Sequence, residues 1–214
     1  MRKTSRSTVR AIAVAAASAL VAGLGLAAPA ASAAPGNQSL FEVLDADGDR
    51  FDNNWRDFDI LDRAVRTVLD AKPGSPVGLL ADGNQSLTAF APTDGAFRRL
   101  VASVSGNKPR TERATFNAIA STFDIDTIEA VLLYHVVPGP KINYKAARNA
   151  DGARLEPAAG PHIVVRVRGG EVFLRDADRD APNPQVIRAL KNINAGNLQL
   201  AHGINRVLSP VDLP

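Results

Sequence analysis

Thr88–Phe97 reads TAFAPTDGAF, Leu132–Gly139 reads LLYHVVPG and Ala201–Pro210 reads AHGINRVLSP. In the first stretch, Leu87 to Phe90 is a short strand that enters Ala91-Pro92-Thr93-Asp94. Thr93 or Asp94 can cap the helix that follows, whose inner face is Ala96, Phe97, Leu100, Val101 and Val104. In the second, Asp126 is a cap, and Ile128, Val131, Leu132 and His135 follow at helical spacing. Tyr134-His135 therefore stands at a corner, where a helix passes into the extended run Val136-Val137-Pro138-Gly139. In the third, Asn197–Leu200 and Ile204–Leu208 read as two strands around Ala201-His202-Gly203.

The intervening sequence fits the same plan. Ser39 to Leu44 is a capped helical turn, and an acidic loop follows it. Between Phe58 and Leu69, the apolar residues Ile60, Leu61, Ala64, Val65, Val68 and Leu69 recur at three and four, with Lys72-Pro73-Gly74 as a stop. Pro76 to Gly83 reads as a loop. A helix from about Thr111 to Ala120 has Ala114, Phe116 and Ile119 available for burial. Ile163 to Leu174 is a hairpin in which Gly169-Gly170 supplies two positive-φ positions. Pairing across that turn sets Val167 against Val172 and Val165 against Leu174 on one face, with Arg168 against Glu171 and Arg166 against Phe173 on the other. Helices come first and strands later, which argues α+β rather than a parallel βαβ winding.

The three quoted stretches resemble the fasciclin (FAS1) domain family: its opening homology block, its Tyr-His block and its closing block, in that order and at roughly the spacing of one domain. The resemblance covers about Ser39 to Asp212. It implies a FAS1 fold, a β-sheet wedge with helices packed on one side, in a family of secreted or surface-displayed adhesion and binding modules. It marks Thr93, Asp94, Phe97, Tyr134, His135, Pro138, Gly139, His202, Val207, Leu208 and Pro210 as motif residues, and these read as fold determinants. In animal members the Tyr-His and closing blocks are associated with receptor adhesion. Here the usual closing Ile-His-Val-Ile-Asp appears as Ala201-His202-Gly203-Ile204-Asn205, with Gly203 for a branched residue and Asn205 for an acid, which argues against an integrin-type contact.

The first 33 residues read as an export signal. Arg2, Lys3, Arg6 and Arg10 form a basic start, Ala11 to Ala28 is uncharged and apolar, and Ala31-Ser32-Ala33 offers the small residues of a cleavage site. The expected organisation is a cleaved signal over 1–33, a flexible lead over 34–38 and a single domain over 39–212. Of the 25 Lys and Arg, four belong to the leader, so 21 remain against 22 Asp and Glu, a net charge of −1. That balance offers no reason to expect nucleic acid. With no cysteine there is no disulfide, thiol nucleophile, thiolate metal site or lipidated thiol. The expectation is a bacterial protein that is released, or held noncovalently at the envelope, as a monomer without a transmembrane anchor.

Candidate chemistry is sparse. No pair of His135, His162 and His202 has the spacing of two ligands on one helix face, so His135 and His202 read as buried groups bonded to backbone or tyrosine, with His202 in a turn and His162 at an exposed strand start. Gly-x-Ser-x-Gly and phosphate-cradling glycine strings are absent, which leaves a secreted hydrolase as the weakest reading. Asp45, Asp47, Asp49 and Asp52 alternate as calcium ligands do. Against a 12-residue calcium loop, however, Arg50 stands where glycine belongs and Arg56 where glutamate belongs. Asp176-Ala177-Asp178-Arg179-Asp180 reads as a solvated turn, because Arg179 neutralises its neighbours and no glutamate follows at the distance calcium binding needs. Asn37-Gln38-Ser39 and Asn84-Gln85-Ser86 are sequons that read as loops, and Trp55 reads as a core residue over the first long helix ahead of a surface aromatic for carbohydrate or partner contact. The function expected is non-enzymatic, cofactor-free adhesion to a cell-surface or matrix protein or glycan; the alternative is an extracellular protein that binds a small ligand or an envelope polysaccharide.

Overall fold

The computed structural model describes residues 35–46, 48 and 50–212. The stretch read as an export signal, Asp47 and Asp49 lie outside the described residues. Helix α1 (Leu40–Asp45) opens with a reciprocal cap: Ser39 Oγ accepts from Glu42 N at 3.1 Å, and Glu42 Oε2 accepts from Ser39 N at 2.7 Å. In the lead before it, Gly36 N donates to Gly196 O and Leu198 N to Gly36 O, both at 2.9 Å. Helix α2 (Asp59–Ala71) buries Ile60, Leu61, Ala64, Val65 and Val68. Pro76–Ala81, expected as loop, is a 3-10 helix with proline at its first position and Ser75 Oγ accepting from Val77 N.

Strand β1 (Leu87–Pro92) leads into α3 (Asp94–Ser105), α4 (Glu112–Thr122), α5 (Ile125–Tyr134) and β2 (Val136–Pro138). After α6 (Tyr144–Arg148) come β3 (Arg154–Leu155), β4 (Ile163–Arg168), β5 (Glu171–Arg175), a 3-10 turn (Arg188–Leu190) and β6 (Gln199–Ile204). Two three-stranded sheets result. In one, β1 is central, antiparallel to β2 and parallel to β6; in the other, β4 lies between β3 and β5.

Strand alternation sorts the core into two layers. Leu87, Ala89, Ala91 and Ala201 pack with α1, α2, α3 and α5 in one apolar cluster. Phe90, Val137 and Ile204 pack with Leu155, Ile163, Val165, Val172 and Leu174 of the second sheet in the other. The first sheet therefore lies between helices and the second sheet, the α+β wedge that the resemblance implies.

The hairpin has the expected register, Val167 with Val172 and Val165 with Leu174, and Gly169 and Gly170 carry φ of 58° and 79°. Three local expectations change. Asp124, not Asp126, caps α5, accepting from Thr127 N at 2.7 Å, while Asp126 pairs with Lys72 at 2.8 Å. Ala114 of α4 is exposed, and Glu112 and Thr115 are buried with Ile119 instead. The two closing strands are one: β6 runs unbroken through His202, and the chain leaves the sheet at Asn205, which bonds sideways to Gln185 through N to O at 3.1 Å and Oδ1 to N at 2.9 Å.

Candidate functional site

The three blocks meet at the corner after α5. His135 closes that helix, and its ring is bonded at both nitrogens: Nδ1–H donates to Val131 O at 2.7 Å, and Nε2 accepts from Leu208 N at 2.8 Å. The partners are backbone groups, not the neighbouring tyrosine. Burial lowers the imidazole to about 4, so the ring is neutral at pH 7. His135 thus straps the closing segment onto α5. Ser209 N donates to Asp176 Oδ2 at 2.8 Å and extends the strap, while burial raises Asp176 to about 6. Tyr134 is fully buried in the second core, and burial, with the Asp176 charge beside it, pushes its phenol up to about 12.

His202 performs the same task elsewhere. It lies within β6, not in a turn, and stacks on Phe90 at 6.0 Å between ring centres. Its Nε2–H donates to Ile142 O at 2.8 Å and Nδ1 accepts from Asn192 N at 3.3 Å, with burial again lowering its pKa. His162, expected to be exposed, is half-buried just before β4.

Thr93 is the cap residue of α3, but its side chain makes no capping bond. Asp94, expected to cap the same helix, instead caps α2: its Oδ1 accepts from Ile60 N at 2.9 Å, and Phe58 at that helix's cap position offers no side-chain bond. Phe97 is buried against the helices. Pro138 is exposed at the end of β2, and Gly139, at φ 110°, bonds to Ser86 O through its N–H at 2.9 Å. Gly203 also has a local reason: a Cβ there would lie 2.6 Å from Leu190 Cβ, so the missing branched residue leaves room for the 3-10 turn beside β6.

Val207, Leu208 and Pro210 line an apolar cleft of about 380 Å³ together with Phe97, Leu100, Phe116 and Ile128. The cleft lies among α3, α4, α5 and the closing segment, and its size suits a small apolar ligand or one anchoring side chain. Trp55 is half-buried under the Arg98 guanidinium, 4.3 Å from its ring centre, and is therefore neither a core tryptophan nor a bare aromatic platform.

Of the four acids weighed as weak calcium candidates, Asp45 and Asp52 lie among the described residues and Asp47 and Asp49 outside them. Asp45 pairs with Arg66, and Asp52 Oδ1 turns back to accept from Asn54 N at 2.7 Å. Acids that the sequence reading did not group together gather instead, among them Asp94, read as a cap, and Asp52. One oxygen from each of Asp57, Asp94 and Glu112 lies within 4.8 Å of the others, and the same holds for Asp52, Asp57 and Asp59. The sequence carried no signal for this cluster, because its members come from three separate elements.

The Fasciclin domain family model matches residues 69–210. A solved structure, the FAS1 domain pair of the insect cell adhesion molecule fasciclin I, matches with a TM-score of 0.53 and 14% identity, covering 81% of this chain and 51% of that one. This chain therefore spans about half the length of that structure. No curated protein matches the sequence. With the three blocks joined at one corner of the wedge and the family model spanning all three, the chain belongs to the fasciclin domain family.

Proposed function

We propose that this protein is an exported, monomeric, non-catalytic adhesion module that binds a protein or glycan at the cell surface or in the extracellular matrix. The observation that carries this reading is the internal use of the motif's reactive groups. Both ring nitrogens of His135 and of His202 are bonded to backbone, so neither imidazole is poised as a base or a ligand. The blocks build the scaffold, and recognition falls to the surface around them. Cosedimentation of the purified protein with intact cells, isolated envelope and wall glycan, with and without calcium, tests it. Saturable and competable binding is the expected result; no binding to any of the three refutes envelope adhesion.

A second reading is favoured by the cleft: binding of a small apolar ligand beside the closing segment. An apolar fluorescent probe should bind there, and Ala130→Trp, at an exposed position on the cleft's lining, should abolish that binding without lowering the melting temperature. Probe binding unchanged in the variant refutes the cleft as the site.

A further inference from the structure

We propose that the chain holds a hard divalent cation, calcium, in a buried carboxylate site formed by Asp57, Asp94 and Glu112 and bordered by Asp52 and Asp59. Asp57 lies in the loop before α2, Asp94 is the first residue of α3 and Glu112 is the first residue of α4. The site therefore joins three elements that are remote in sequence. One oxygen from each of the three lies within 4.8 Å of the others. Oxygens that share one calcium at about 2.3–2.6 Å can be no more than about 5 Å apart, so this grouping has the dimensions of a coordination shell.

The second observation is the state of individual atoms. Asp94 and Glu112 are both 0% exposed. Each spends one oxygen on a backbone N–H, Asp94 Oδ1 on Ile60 at 2.9 Å and Glu112 Oε2 on Asn53 at 2.7 Å. Their second oxygens, Asp94 Oδ2 and Glu112 Oε1, are buried without a hydrogen-bond partner. A buried carboxylate oxygen with no donor is costly, and a proton, a donor such as a buried water, or a cation relieves it. The carboxylate group of Asp57 stands at hydrogen-bonding range of Asp94, where two acceptors repel unless something positive lies between them.

The electrostatics agree. Burial, then Asp57 and Glu112, raise Asp94 to about 9, and burial, then Asp57, Asp59 and Asp52, raise Glu112. Without metal, Asp94 therefore keeps its proton at neutral pH, and a cation would displace it. All donors are carboxylate oxygens, which suit calcium, magnesium or manganese better than zinc. Calcium fits best because its coordination tolerates irregular ligands, whereas magnesium demands a near-octahedral shell. A bound ion would clamp the N-terminal ends of α3 and α4 to the loop before α2. The inference is independent of what the module adheres to.

The test uses the full chain, stripped with EDTA and titrated with calcium chloride at pH 7. Calorimetry should show saturable binding with proton release, read as a heat that varies with buffer ionisation. At a hundredfold excess over Kd, the melting temperature should rise by about 5–10 °C. Trp55 is the only tryptophan and lies two residues before Asp57, so terbium bound at the site should show tryptophan-sensitised emission that calcium quenches. Glu112→Gln should remove the calcium-induced shift and the emission while leaving the metal-free protein folded. Asp57→Asn, at a half-buried position, gives the same readout if Glu112→Gln fails to fold. A stripped wild type with no calcium heat, no shift and no emission overturns the proposal and leaves a cluster held by shared protons. Calcium binding that persists in the folded variants places the ion elsewhere and overturns it equally.

Discussion

Replacing His135 should change both the stability of the domain and how that stability varies with pH. The ring is 4% exposed and bridges Val131 O to Leu208 N. Leu208 is itself 0% exposed, so alanine leaves a buried N–H without an acceptor as well as a ring-sized cavity. An unmet buried donor costs about 1–3 kcal/mol, and the lost packing brings His135→Ala to about 2–4 kcal/mol. Glutamine is the more informative variant. Its Oε1 can take the place of Nε2 and keep the bond from Leu208, so His135→Gln should cost about 1–2 kcal/mol at pH 7.

The pH dependence has a definite sign. The folded imidazole is lowered to about 4 from an ordinary value of 6.5, so the unfolded chain takes up the proton first. Wild-type stability is full above pH 6.5 and is lost as pH falls toward 4, by about 2 kcal/mol at pH 5 and about 3 kcal/mol at pH 4. The Gln variant lacks this loss. Urea denaturation of both proteins at pH 7, 6, 5 and 4 should therefore show wild type ahead at pH 7 and the variant ahead at pH 4. The difference between the two curves isolates His135 from Asp94 and Asp176, whose raised values act in the opposite direction and are present in both. A difference that stays constant across this range refutes the buried, neutral bridge.

Gly203→Val, which restores the family's branched residue, should cost about 2 kcal/mol or more, because its Cβ meets Leu190 Cβ at 2.6 Å. Leu190→Ala in the same chain should recover part of that loss in thermal melting; equal stability of Gly203→Val and wild type would contradict the packing. In chelator at pH 7, Asp94→Asn should remain within about 1 kcal/mol of wild type because its Oδ1 can still accept from Ile60 N, whereas Asp94→Ala should cost about 1–2 kcal/mol through the lost cap of α2. Asp94 is raised to about 9, so its stabilisation is complete below the ordinary carboxylate range and is lost as pH climbs toward 9. The Asn variant should gain on wild type over that climb, as chemical denaturation at pH 6 and pH 9 would reveal.

Features set by neighbours in sequence were legible before the structure. The hairpin register follows from Gly169-Gly170 and the alternation around it, and the helix-to-strand corner at Tyr134-His135 follows from a change of period. Partners distant in sequence were not legible. Asp94 looked like a cap for its own helix because Ile60 N, its actual partner, is brought to it only by packing. The single strand β6 was read as two because alternation identifies strand residues without saying where pairing stops; it stops where Asn205 turns to Gln185. Glu112 resembled an ordinary first-turn acid, and nothing in its neighbourhood announced complete burial. The candidate cation site shares this character, since no two of its three core members lie on one element.

Strand β1 sits at the centre of its sheet, yet its parallel partner is not made until residue 199, and Leu87 meets Gln199 across nearly the whole domain. Until β6 arrives, β1 presents an unpaired edge and the helical layer lacks the floor that Ala201 completes. Closing so long a loop is slow compared with forming the helices or the Gly169-Gly170 hairpin. The nascent chain should therefore stay open until residues 199–204 have been made, with strand β6 setting the moment of collapse. A chain that ends before residue 199 would expose this edge permanently and be prone to aggregate.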